Sequence, residues 1–126
     1  MGILEKTEPV EVFRFFEEIA KIPRPSYHEE QISDYLVDFA KKRELEVHRD
    51  SHFNVIIIKE ASKGYEDVAP LILQGHVDMV CEKESGCTKD MENEGVDLVL
   101  DGDMLSADGT TLGGDDGIAV DRKSVV

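Results

Sequence analysis

Apolar residues recur along this chain at two periods, one helical and one extended. Val12, Phe13, Phe16, Ile19 and Ala20 fall at the spacing that lines one face of an α-helix. Thr7 stands ahead of them as a candidate cap, and Pro9 lies in the early turn, where a missing N–H is tolerated. Pro23 and Pro25 end the stripe. A second helical stripe holds Ile32, Tyr35, Leu36, Phe39 and Ala40. Ser26 and Glu29 precede it at capping-box spacing, and Lys41, Lys42 and Arg43 close it, cations at the end the helix dipole favours. Extended periodicity follows. Leu45 to Arg49 alternates and predicts a strand; Asn54 to Lys59 predicts a second, its Val-Ile-Ile-Ile run reading as buried on both faces. Lys63 to Asp67 is a polar loop. Leu71 to Gln74 reads as a third buried strand with Gly75-His76-Val77-Asp78 at its end. Asp97–Leu100 and Met104–Ser106 flank Asp101-Gly102-Asp103, a hairpin turn by composition. Gly109 to Gly117 is a glycine-rich loop, and the apolar run from Ile118 begins a helix. Helices before and after strands give an α/β class.

Composition narrows the functions open to such a fold. The chain has 126 residues, 40% of them apolar, enough for one small domain or part of a larger one and too many for a disordered chain. Fourteen basic residues face 28 acidic ones, a net charge of −14, which argues against nucleic acid and against anionic membranes. No apolar run approaches the roughly 18 residues of a membrane span. The first residues lack a basic start followed by an apolar run, so no secretory signal is visible, and Lys6 breaks a myristoylation pattern begun by Gly2. Cys81 and Cys87 are too few for a disulfide framework; reduced thiols in a cytoplasm are expected. From Glu82 to Asp116 eleven acids meet two lysines. Most of these carboxylates read as a solvated face, and a few are candidates to face a cation.

Two short pieces carry candidate chemistry. His76 and Asp78, two residues apart in extended backbone, point to one side and can share a site. A neutral imidazole is a good zinc ligand whose second nitrogen favours a carboxylate partner, and strand ends are where α/β sheets place ligands. The tripeptide alone is a weak signal and fits better a histidine hydrogen-bonded beside a surface loop. The second piece is Gly113-Gly114-Asp115-Asp116-Gly117. Adjacent carboxylates repel unless a cation or donors hold them, and one carboxylate can bridge two metal ions roughly 3.5–4 Å apart. An acidic helix N-terminus needing no metal explains the same residues. His28, His48 and His52 read as surface residues. A Cys81–Cys87–His76 zinc site lacks the usual ligand spacing, and Asp97, Asp101, Asp103 and Asp108 lack the spacing of a calcium loop.

Three blocks together resemble a known family. Ile22-Pro23-Arg24-Pro25-Ser26-Tyr27-His28-Glu29-Glu30-Gln31, Gln74-Gly75-His76-Val77-Asp78-Met79-Val80 and Gly109-Thr110-Thr111-Leu112-Gly113-Gly114-Asp115-Asp116-Gly117 are similar to the bacterial aminoacyl-histidine dipeptidases, or cytosol nonspecific dipeptidases. These belong with the dinuclear zinc peptidases that include bacterial glutamate carboxypeptidases and amino-acid deacylases. The resemblance runs from about Thr7 to Val120. It implies a zinc-peptidase-type α/β/α sandwich, represented incompletely, with residues 1–120 the N-terminal part of the catalytic domain. It implies two divalent metal ions, zinc first and cobalt or manganese as alternatives, and a dipeptide substrate of Xaa-His type or of broad specificity. By resemblance His76 is a metal ligand, Asp78 the active-site aspartate that orients its imidazole, and Asp115 the aspartate bridging both metals. Asp116 is its neighbour, often joined to it by a cis peptide. Gly114 departs from the alanine common in this branch.

The resemblance also implies what nine residues after Gly117 do not hold. The family's general-base glutamate, the neighbouring glutamate ligand, a further acidic ligand and a late histidine all follow the Asp-Asp-Gly motif, and residues 118–126 contain no Glu and no His. The chain by itself is therefore expected to be inactive, and an uncovered sheet to make it aggregate. Asp121-Arg122-Lys123-Ser124-Val125-Val126 matches one translated frame of a common sequencing adapter, so residues 121–126 are expected to be a non-native tail, with natural truncation as the alternative. The parent enzyme's assembly, a homodimer among the choices, stays open. Alternative functions are an N-acyl amino acid deacylase of the same superfamily and a non-catalytic acidic module that binds a cation.

Overall fold

Both helical stripes fold as helices in the computed structural model, which describes residues 2–124. Helix α1 spans Val10–Ala20 and buries Val12, Phe15, Phe16, Ile19 and Ala20. Its start differs from the expected one. Pro9 is itself the capping residue, in extended conformation, and no side chain caps the helix. Thr7 closes a turn instead, donating its N–H to the Leu4 carbonyl at 2.9 Å. Helix α2 spans Glu30–Lys42 and buries Ile32, Ser33, Phe39 and Ala40. The predicted capping box does not form. Tyr27 adopts φ 71°, which turns the chain before helical geometry can begin, and the helix starts four residues beyond Ser26. The Glu29 carboxylate then accepts from the Tyr27 N–H at 2.8 Å. The two helices meet through Phe15 and Phe39, edge to face with ring centres 5.5 Å apart.

Strands β1 (Glu46–Arg49) and β2 (Val55–Ile58) form an antiparallel pair with Val47 opposite Ile57. Helix α2 packs on this hairpin. The expectation that β2 is buried on both faces is corrected: burial alternates along it, and Ile56 and Ile58 are exposed. Strands β3 (Leu98–Asp101) and β4 (Met104–Ala107) pair antiparallel as predicted, across a turn in which Gly102 takes φ 61°.

The third predicted strand is absent. Leu71 to Gln74 carries no strand pairing among the described residues, and Leu71 and Ile72 are 82% and 87% exposed. An apolar run of high β-propensity becomes a strand only where a neighbour offers its N–H and C=O groups, and here neither side is occupied. The chain rejoins the fold at Met79, which pairs in parallel with Pro25. Helix α3 (Gly114–Ser124) starts earlier than the apolar run at Ile118 suggested; Asp115 and Asp116 within its first turn are not helical.

The core gathers Leu4, Phe16, Ile19, Ile32 and Val120, and α1 packs against α3. A smaller cluster gathers Ala20, Met79 and Val96. Mixed helices and strands give the α/β class read from the sequence. Of the tail expected at residues 121–126, Asp121 is buried and the helix runs to Ser124; Val125 and Val126 lie outside the described residues. No helix among the described residues is long and apolar enough to cross a membrane.

Candidate metal centre

The two motifs are far apart in sequence and adjacent in space. The chain after Met79 runs alongside the segment before Leu112. Lys83 and Thr110 form an antiparallel bridge, and Thr111 donates its N–H to Glu82 O at 3.0 Å and its hydroxyl to Val80 O at 2.7 Å. Glu84 N–H bonds Gly109 O at 2.8 Å. This zipper sets the register between the extended His76-Val77-Asp78 segment and the loop that carries Asp115.

The side chains then converge on one imidazole. His76 Nε2 lies 3.0 Å from Asp115 Oδ1, and His76 Nδ1 lies 3.0 Å from both the Asp78 Oδ1 and the Asp78 backbone carbonyl. The outer oxygen of Asp78 accepts a short hydrogen bond from the Ser26 hydroxyl. Asp78 thus faces the nitrogen opposite the one that meets Asp115. The Asp115–Asp116 peptide is cis, as the resemblance implies. Asp116 does not join the imidazole contacts. His76 is half-exposed and the Asp115 side chain is 96% exposed, so the pair opens to solvent and an ion can reach it.

Electrostatics follow from these contacts. The Asp115 carboxylate raises the His76 pKa above its ordinary value; partial burial opposes this and Asp78 adds to it. The Ser26 hydroxyl holds the Asp78 carboxyl below the usual carboxylate range, with the imidazole contributing and burial opposing. A carboxylate at each ring nitrogen is the environment of an imidazolium or of a metal-bound imidazole whose far N–H is held. Two ligands of one tetrahedral zinc, each about 2.1 Å from it, sit roughly 3.4 Å apart. The observed 3.0 Å needs an opening of only a few tenths of an ångström, and the donor set of one imidazole nitrogen and one carboxylate suits zinc, cobalt or manganese. Among the described residues no three His, Cys, Asp or Glu side chains are disposed to hold one ion. Cys81 and Cys87 are free thiols, and burial pushes the Cys81 thiol up.

Beneath the imidazole lies a residue that sequence reasoning passed over. Arg24 is 1% exposed, and its guanidinium donates to Val77 O at 3.0 Å and to Gly113 O at 2.9 Å. Desolvation lowers its pKa, while Cys81, Asp78 and Asp116 act in the opposite sense. Ser26 fits the pattern of a helix cap because the same residue type serves both roles; its partner lies 52 residues away and no local pattern reveals it. The sequence signals for Arg24 are its membership of the first resembling block and its place between two prolines, where it cannot belong to either flanking helix; neither points to its partners.

No protein-family model matches the chain. The chain is 39% identical over 120 residues to the cytosol non-specific dipeptidase of Escherichia coli (strain K12), a match covering 95% of this chain and 25% of that protein. Its fold superposes on the crystal structure of aminoacylhistidine dipeptidase from Vibrio alginolyticus with a TM-score of 0.92 and 35% identity, over 98% of this chain and 26% of the other. The resemblance drawn from the three sequence blocks therefore extends over nearly the whole chain, in sequence and in fold. The chain spans about a quarter of the length of these relatives.

Proposed function

We propose that this chain contributes part of the metal centre of a cytoplasmic metal-dependent dipeptidase, acting on Xaa-His or a broader range of dipeptides. The observation that carries the reading is the imidazole of His76 set between two carboxylates, Asp78 at Nδ1 and Asp115 at Nε2, at 3.0 Å each. His76 would ligate through Nε2 and Asp115 through its carboxylate, with Asp115 bridging two ions. Asp78 would hold the Nδ1 proton, which fixes the tautomer and makes Nε2 the donor atom. Ser26 would hold Asp78 in the rotamer that does so. When bound, divalent ions supply a polarised scissile carbonyl and a water acidic enough to deprotonate near neutral pH.

The residues of this chain support only part of that chemistry. Catalytic zinc takes three protein ligands, and the described residues offer two donors that meet. Asp78 is committed to His76 and Ser26, so it is not placed to serve as general base. We therefore expect the 126-residue chain alone to hydrolyse no dipeptide. The test is a chimera in which residues 1–120 replace the matching stretch of the Escherichia coli relative. Zinc-dependent dipeptide hydrolysis by the chimera, lost in His76→Ala and Asp115→Ala, supports the reading. A chimera that folds, binds zinc and cleaves N-acyl amino acids but no dipeptide would move it to the deacylases. Full activity in the His76→Ala chimera would refute it. Both similar proteins are named dipeptidases, which favours the peptide substrate.

A further inference from the structure

Arg24 lies behind the metal-centre candidates rather than in them. It touches neither His76 nor Asp115, yet it binds the backbone beside both. Val77, whose carbonyl accepts from Nη1, is the residue between His76 and Asp78; Gly113, whose carbonyl accepts from Nη2, lies two residues before Asp115. A guanidinium is planar and its two terminal nitrogens stand at a fixed separation, so it sets the distance between the carbonyls it bridges.

The loop is shaped around this group. A Cβ on Gly113 would sit 2.7 Å from Arg24 Nη2, and a Cβ on Gly117 would sit 2.8 Å from the same atom. The two glycines enclose the Asp115–Asp116 pair, so the loop can wrap the guanidinium only where both side chains are missing. Gly117 N–H also reaches Gly113 O, at 3.0 Å, and closes the wrap. On the other side, the Arg24 carbonyl accepts from Met79 N–H at 2.9 Å, so the residue grips the His76-bearing segment by main chain and side chain. The arginine is almost fully buried with Nε left without a hydrogen-bond partner. A buried cation with an unmatched N–H is unfavourable for stability alone.

We propose that Arg24 is a positioning residue, a clamp across Val77 O and Gly113 O that sets the separation of His76 Nε2 and Asp115 Oδ1 before any ion binds. The inference rests on the metal-centre reading for its purpose but not for its geometry.

The test uses the 126-residue chain with Arg24→Met and Arg24→Lys. The metal-independent readout is the imidazole ¹H–¹⁵N spectrum of His76 at fixed pH, recorded with and without Asp115→Asn. In the parent chain Asp115→Asn should move the His76 ring signals; in folded Arg24→Met that response should fall by at least about half. The second readout is cobalt(II) absorption. Affinity should drop between about 10- and 100-fold in Arg24→Met, the range for residues that orient ligands. Arg24→Lys should recover part of both, since an ammonium can serve one carbonyl well but not two at the guanidinium spacing. Folded variants with the parent's His76 response and cobalt affinity would overturn the proposal. If both variants lose their helical circular dichroism, the parent's guanidinium decides: fast-exchanging Arg24 Nη protons without coupling to the Val77 and Gly113 carbonyls would overturn it. Cobalt binding by the parent chain that is unchanged after His76→Ala defeats the metal reading instead, and where the parent binds no cobalt the imidazole spectra alone judge the clamp.

Discussion

Replacing Gly113 with alanine tests the packing under the metal centre by a single carbon. Gly113 has φ 76°, where an L-residue is unfavourable by roughly 1–2 kcal/mol. The added Cβ would also stand 2.6 Å from Met79 Sδ and 2.7 Å from Arg24 Nη2. Neither atom yields freely: Met79 is 5% exposed and packed in the smaller core, and Nη2 is bonded to the carbonyl of Gly113 itself. Overpacking of this kind costs about 1–3 kcal/mol. Gly113→Ala should therefore destabilise by about 2–5 kcal/mol. Gly102→Ala supplies the control. Gly102 has φ 61° in the β3–β4 turn and open space where its Cβ would be, so only the dihedral penalty of roughly 1–2 kcal/mol applies. Urea unfolding followed by circular dichroism gives both numbers on one scale. If Gly113→Ala shifts the transition no further than Gly102→Ala does, the guanidinium and Met79 do not fill the loop, and the account of the wrapped arginine fails with it.

Other outcomes follow from the same contacts. Ser26→Ala should weaken cobalt binding about tenfold while leaving the helices intact, because it removes the donor that orients Asp78; unchanged affinity would mean the bond orients nothing. Tyr35 donates to Glu18 at 2.7 Å, and burial together with that bond pushes its phenol well above the usual value. The folded state thus holds the phenolic proton more tightly than the unfolded chain, so its contribution is complete below pH of about 10 and declines as pH rises beyond. Tyr35→Phe should lower stability near neutral pH by about 0.5–1.5 kcal/mol and flatten the alkaline loss, read from urea midpoints across pH. Leu71→Lys with Ile72→Lys should suppress aggregation in light scattering with a stability change within about 0.5 kcal/mol, since both side chains are already in solvent. A doubly substituted chain that aggregates as before would place the sticky surface elsewhere.

The helices were legible because amphipathic periodicity needs nothing outside the segment: a stripe such as Ile32, Tyr35, Leu36 and Phe39 finds its face against whatever lies beneath. The β3–β4 hairpin was legible for a related reason, with both strands and the Asp-Gly turn in the ten consecutive residues Leu98–Ala107. Leu71 to Gln74 was not. Its composition says that it suits a buried strand, but pairing is decided by neighbours distant in sequence. The same distinction separates the two misread caps. Thr7 and Ser26 each have the chemistry of an N-cap; the Ser26 hydroxyl goes to Asp78 instead, and Thr7 lies in a turn closed by its backbone N–H on Leu4, ahead of a helix that Pro9 caps.

The candidate site divides along a similar line. His76, Asp78 and Asp115 stood out only through the resemblance of three blocks taken together, since ligand chemistry alone left a surface histidine and an acidic helix start as readings, and the acidic excess around Asp115 blurred the choice further. Three of those carboxylates serve turns and local bonds. Asp90 accepts from the Asn93 side chain at 2.7 Å, Glu94 accepts from Asp90 N–H at 2.8 Å, and Asp97 pairs with Lys89 at 2.8 Å. Charge density alone could not have told these from Asp115, whose distinction is a partner 39 residues away. Arg24 shows the converse. A positively charged residue beneath a candidate cation site looks misplaced on charge, since it would repel the ion. Its bonds go to neutral carbonyls, however, and its charge is offset by Asp78 and Asp116 nearby. What it supplies there is a rigid spacing between two backbone segments, and a spacing leaves no mark in composition.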